Sequence, residues 1–123
     1  MKTKGAALHD FFSGFGLDAY PASGVPADVV LPYLTYDPVF DSFGKEVSIS
    51  ANLWYYTDSQ AIPNAKAQEI TERVGMGGII VPFAGGAAWI KRGSPWCQPL
   101  ADDTAPGIKR RQLNFSVEYI SAN

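Results

Sequence analysis

The chain has 123 residues and a mass of 13.3 kDa, room for one domain but not for two ordinary ones. Hydrophobic residues make up 46%, aromatic residues 13% and charged residues 18%, a balance that excludes a disordered chain. Ten Lys and Arg against twelve Asp and Glu leave a net charge of −2, without the basic footprint of a nucleic-acid binder, and the single cysteine, Cys97, excludes internal disulfides and thiol-rich metal sites.

The first twelve residues are too polar for a signal peptide, and no run approaches the ~18 apolar residues of a membrane span. The expectation is a soluble protein made in the cytoplasm and kept there, or assembled there into something larger. Residues 4–12 then place Ala7, Leu8, Phe11 and Phe12 at helical spacing, and Gly14 and Gly16 end that helix. Residues 17–32 are dense in Pro, Gly, Ala and Asp. Pro21, Pro26 and Pro32 predict an irregular loop along the surface.

Aromatic and β-branched residues predict a strand over 33–40, limited by Pro38, and Asp41, Ser42, Phe43 and Gly44 read as a turn. The clearest period of two covers 46–56. Val47, Ile49, Ala51, Leu53 and Tyr55 share one face, while Ser48, Ser50, Asn52, Trp54 and Tyr56 share the other. Thr57, Asp58 and Ser59 can start a helix over 61–74, with Pro63 in its first turn, Ala67, Ile70 and Val74 on one side, and Gly75 as its stop.

A short strand over 79–83, a tight Gly85–Gly86 turn and a returning strand over 87–92 follow, then turn-rich residues from Gly93 and again over 99–107. A long strand over 108–120 closes the chain, alternating Arg111, Leu113, Phe115, Val117 and Tyr119 with Arg110, Gln112, Asn114, Ser116 and Glu118. The order predicts a single α+β domain over 1–123, a mostly antiparallel sheet with helices packed on one face.

Little here points to catalysis. His9 is the only histidine, so a two-histidine metal site within one subunit is impossible, and nothing pairs it with Cys97 as a nucleophile. Gly75 to Gly78 follows a helix, and Gly85–Gly86 joins strands, so neither is a phosphate loop. Asp102 and Asp103, like Asp37 and Asp41, read as solvated turn residues. The reading is no enzyme, no metal and no cofactor. Lys109, Arg110 and Arg111 form the only basic cluster, and alternation puts the two arginines on opposite faces. They suit ion pairs between subunits. Trp54 and Tyr56, off the apolar face, together with Val29 and Leu31 of the long loop, are the other candidates for subunit contact. The alternative is a small ligand-binding or regulatory module.

Six segments carry a resemblance: Leu8 to Gly16, Pro32 to Tyr36, Asn52 to Tyr55, Pro63 to Ala67, Ile90 to Gln98 and Ile108 to Arg111. Together they resemble small tail-completion proteins of prophages of Gram-positive bacteria. More widely, the chain resembles tail terminator proteins of long-tailed bacteriophages. That resemblance implies a structural protein of the virion, at the tail or the head–tail junction, assembled in the host cytoplasm. It implies a hexameric ring of like subunits that caps the major tail tube protein and offers a surface to the head–tail connector, with no catalytic residue and no cofactor.

Overall fold

The computed structural model describes residues 2–40, 45–101 and 107–121. Helix α1 (Lys4–Ser13) begins where the Thr3 hydroxyl accepts the Ala6 N–H at 3.1 Å and ends where the Gly14 N–H returns to the Phe11 carbonyl at 3.2 Å. It buries the predicted side, Ala7, Leu8, Phe11 and Phe12. Helix α2 (Ala61–Val74) buries Pro63, Ala67, Ile70 and Val74, and Gly75 leaves it at φ +71°, a backbone geometry that favours glycine.

The stretch after α1 is more ordered than its prolines suggest. Strand β1 (Asp18–Pro21) pairs in parallel with β2 (Tyr33–Tyr36), and Ala22–Gly24 forms a short 3-10 turn. Pro21 fits because β1 is the outer strand, where a missing N–H removes no required ladder bond. Strand β2 stops at Tyr36, before Pro38, although the Asp37 N–H still reaches the Ser50 carbonyl at 2.9 Å. The turn predicted over 41–44 lies outside the described residues.

Strands β3 (Glu46–Tyr56) and β6 (Ile108–Ser121) form the long antiparallel centre, in register from Glu46 opposite Glu118 to Tyr56 opposite Ile108. Strands β4 (Ile79–Phe83) and β5 (Gly86–Ala101) complete a six-stranded sheet of order β1-β2-β3-β6-β5-β4, antiparallel except for β1 with β2. Helix α1 touches β1 and β4, the two edges, so the sheet curls around it.

Strand β5 does not stop at Arg92 as predicted. It runs on to Ala101 through a bulge: Arg92 opposes Phe115 and Cys97 opposes Leu113, so residues 93–96 stand against Asn114 alone. The extra residues are odd in number, so the strand changes parity. Ile90 faces the helices before the bulge and Cys97 after it. A Cβ on Gly93 would lie 2.7 Å from the Asn114 carbonyl oxygen, and the Asn114 amide donates to the Pro95 carbonyl at 2.8 Å. The bulge turns Trp96 toward α2, where its indole N–H donates to the Thr71 hydroxyl at 2.8 Å. Residues 102–106, the middle of the other predicted turn, lie outside the described residues.

The core centres on Phe115. The rings of Phe11, Phe12 and Trp96 meet it edge-on at 5.9, 5.3 and 4.9 Å, and Tyr36 stacks on Phe12 at 4.5 Å. Lys66 ties α2 to the end of α1 by donating to the Phe15 carbonyl at 2.5 Å. Tyr119, fully buried, donates its hydroxyl to the Val39 carbonyl at 2.7 Å, and burial pushes its phenol up to about 12.

Two outcomes are expected. Gly93→Ala forces Cβ against backbone and should cost about 1–3 kcal/mol in urea denaturation. The Tyr119 phenol is neutral in the fold up to about pH 12 but ionises near 10.0 when unfolded, so its contribution is complete below pH 10 and is lost as pH rises toward 12. Denaturation at stepped pH should show a shallower loss over that window for Tyr119→Phe, with a residual slope because burial also raises the phenols of Tyr36 and Tyr55.

Candidate functional site: the face of the sheet opposite the helices

Both helices pack on the face that carries Ile49, Leu53, Leu113 and Phe115. The opposite face shows the alternate residues of the same strands: Glu46, Ser48, Ser50, Asn52, Trp54 and Tyr56 on β3, and Arg110, Gln112, Asn114, Ser116 and Glu118 on β6.

Register builds a row across four strands at one end of this face. Arg110 stands opposite Trp54, and Trp54 opposite Tyr33, with Tyr20 on the neighbouring β1. The Arg110 guanidinium lies 5.1 Å from the centre of the Trp54 ring. On its other side Trp54 stacks with Tyr33 at 6.1 Å and 20°, and Tyr20 meets Tyr33 at 6.2 Å. The Trp54 indole donates to the Thr35 hydroxyl at 2.9 Å, and Arg110 Nε donates to the Asn52 side-chain carbonyl at 2.9 Å. The stack is thus held in place by side chains of its own strands. Tyr56 extends it, 71% exposed, with its ring resting on Gly107, where a Cβ would sit 2.8 Å from a ring carbon.

The middle of the face is polar, with the Ser50 hydroxyl donating to the Asn114 side-chain oxygen Oδ1 at 3.2 Å. At the far end Lys91 donates to Glu46 at 2.5 Å and Ser116 to the same oxygen at 2.9 Å. These two bonds, Lys91 first, hold the Glu46 carboxyl below its ordinary range. Lys91 also lies over the Trp89 ring at 4.1 Å, while the Trp89 indole donates to the Gly77 carbonyl at 2.8 Å. No continuous basic stripe forms, because Arg92 takes the opposite face from Lys91.

Of the residues singled out for subunit contact, Trp54, Tyr56 and Arg110 come together on this face. Val29 and Leu31 are half-buried in the segment leading to β2, with Val30 between them 78% exposed. Arg111 stands apart from this surface. It lies on the helix-covered face, 7% exposed, donating to the side-chain oxygens of Asn64 and Gln60, the latter at 2.9 Å. Sequence reasoning missed Tyr20, Tyr33 and Thr35 as members of the stack. The Pro and Gly density of residues 17–32 hides Tyr20, and the alternation of Asp18, Ala19 and Tyr20 is too short a signal to stand against it.

The other candidates are scattered. His9 is exposed on α1, its ring nitrogens 3.3 Å from the Ser13 hydroxyl and 3.5 Å from the Tyr36 hydroxyl. Cys97 is half-buried against the core. Asp37 is exposed, and Asp41, Asp102 and Asp103 lie outside the described residues. A cavity of about 310 Å³ between α1 and β4 is lined by Lys2, Ala7, Asp10, Val81, Pro82 and Phe83. Lys2 and Asp10 form an ion pair there, and its hydrogen bond lowers the Asp10 carboxyl. Comparison with protein-family models, with curated proteins and with solved structures finds no match for the chain.

The two ends of the aromatic row should respond differently to substitution. Tyr56→Ala removes an exposed ring and should change stability by less than about 0.5 kcal/mol. Thr35→Val strips the Trp54 indole of its acceptor and should cost about 1 kcal/mol, both read by urea denaturation.

Proposed function

We propose that the chain is a structural protein of the tail or head–tail junction of a long-tailed bacteriophage or prophage. In this reading it caps the tail tube as a ring of like subunits and joins it to the head connector, without catalysis and without a cofactor. The family and the ring come from the resemblance carried by the six sequence segments. The observation in the structure that carries an assembly role is the Tyr33–Trp54–Arg110 stack, held in one arrangement on a face that neither helix covers. Trp, Tyr and Arg are the side chains that most often anchor interfaces, and a stack already ordered loses little further freedom on binding.

The sheet edges favour contact through faces and ends over strand addition. Pro21 lies on edge strand β1. On the other edge, the two-residue turn closing Phe83 against Gly86 directs the missing N–H of Pro82 outward. A ring needs two different patches on each copy. The Trp54 end is one of them.

A second reading, a small ligand-binding module, is favoured by the α1–β4 cavity, whose size suits a small molecule. The two readings separate on one variant. Trp54→Ala, checked for folding by circular dichroism, should yield unjoined heads and tails in a phage-producing host if the assembly reading holds. Normal particle yield from a folded Trp54→Ala chain counts against it.

A further inference from the structure

Arg111 is a buried cation for which the described residues supply no counter-charge. Its side chain lies under the first turn of α2, and the two acceptors it has found there, Asn64 and Gln60, are neutral amides. Its Nε is the only buried side-chain nitrogen or oxygen among the described residues with no hydrogen-bond partner. The ion pairs among those residues join Lys2 to Asp10, Lys66 to Glu69 and Lys91 to Glu46, so Glu69, the carboxylate of α2 that acts on the Tyr55 phenol, is already held by Lys66. A buried guanidinium without an anion is costly.

The surroundings make the corner more positive still. Arg111 points at the N-terminal end of a fourteen-residue helix, where the peptide dipoles present positive charge. Gln60, at the cap position, makes no side-chain cap bond. Ala61 donates its N–H to the Ser59 hydroxyl at 3.0 Å, Asn64 to the Gln60 carbonyl at 3.0 Å, and Pro63 has none to give. That leaves the Ile62 N–H as the first-turn donor for which the described residues provide no acceptor. Lys109 shares the covered face two residues before Arg111.

We propose that this corner is a binding site for a small oxyanion of the phosphate class, held by the Arg111 guanidinium at the N-terminus of α2. Gln60 and Asn64 are exposed at their outer sides, so their amide oxygens can leave the guanidinium and let the oxygens of the anion take the same N–H groups. The site lies on the opposite face from Trp54 and does not depend on the assembly role.

The test is thermal melting of the full chain with inorganic phosphate against sodium chloride at equal ionic strength. Phosphate should raise the melting midpoint saturably, on the order of 5–10 °C at a hundredfold excess over its dissociation constant. Arg110→Gln, on the other face, should keep the response, and Arg111→Gln should lose it. Should Arg111→Gln not fold, Asn64→Asp decides: a carboxylate placed on the guanidinium supplies the missing charge within the chain, raising the midpoint without phosphate and abolishing the phosphate response. The site is overturned if phosphate gives no saturable shift, if Arg111→Gln or Asn64→Asp still responds, or if the midpoint follows protein concentration instead of phosphate, which would make a neighbouring copy's carboxylate the counter-charge.

Discussion

Three rings converge edge-on upon Phe115, two from α1 and one from the bulge of β5. That meeting sets the rest of the architecture. Phe115 occupies one face of the central strand β6, so whatever covers it must come from that side, and both helices do. The Phe11 and Phe12 pair needs α1 to lie across the sheet. The Trp96 ring needs β5 to bulge, because a regular strand gives no slack to turn the indole toward Thr71. Edge-on packing of this kind fixes ring orientation as well as burial, so the helices and the bulge hold one another in place.

Coverage of one face has a consequence on the other. Trp54 receives no helix, yet its polar and apolar parts are all engaged locally, by the Thr35 hydroxyl, the Tyr33 ring and the Arg110 guanidinium. Trp96 and Trp89 also satisfy their indole N–H groups, one through a threonine hydroxyl and the other through a backbone carbonyl. The difference is in what lies above the ring. Trp96, half-buried like Trp54, packs against the core and Phe115, whereas the neighbours of Trp54 are Tyr33 and Arg110 on the opposite face. An ordered aromatic surface with its hydrogen bonds already made has apolar area left to bury and little order left to gain, the condition of an interface anchor.

Arg110 and Arg111 show how far one residue of offset can separate two equal charges. Arg110 lies along an aromatic ring beside Asn52 on the open face; Arg111 lies beneath α2 among neutral amides. The first is half-buried, with its guanidinium held over a ring face and bonded to an amide oxygen, an arrangement that leaves part of it hydrated. The second gives up hydration without meeting a carboxylate among the described residues, so the two cations have unrelated surroundings.

The sequence by itself determined the elements whose side chains repeat with one period over many residues. Strand β3 is legible from the alternation of Val47 to Tyr55, α2 from Ala67, Ile70 and Val74 between Pro63 and Gly75, and the two-sided character of β6 from Leu113 to Tyr119. It also placed Trp54 and Tyr56 off the apolar face, since a period of two leaves no other place for them. Strand β1 was left to tertiary structure, because four residues have no stability of their own and become a strand only by pairing with β2, fifteen residues further on. The same holds for the parity change in β5, which depends on how closely Gly93 passes the backbone of Asn114, and for Arg111, which alternation placed on the apolar side but only the docking of α2 buried. Local periodicity reports which way a side chain points; what waits there is decided by segments distant in the chain.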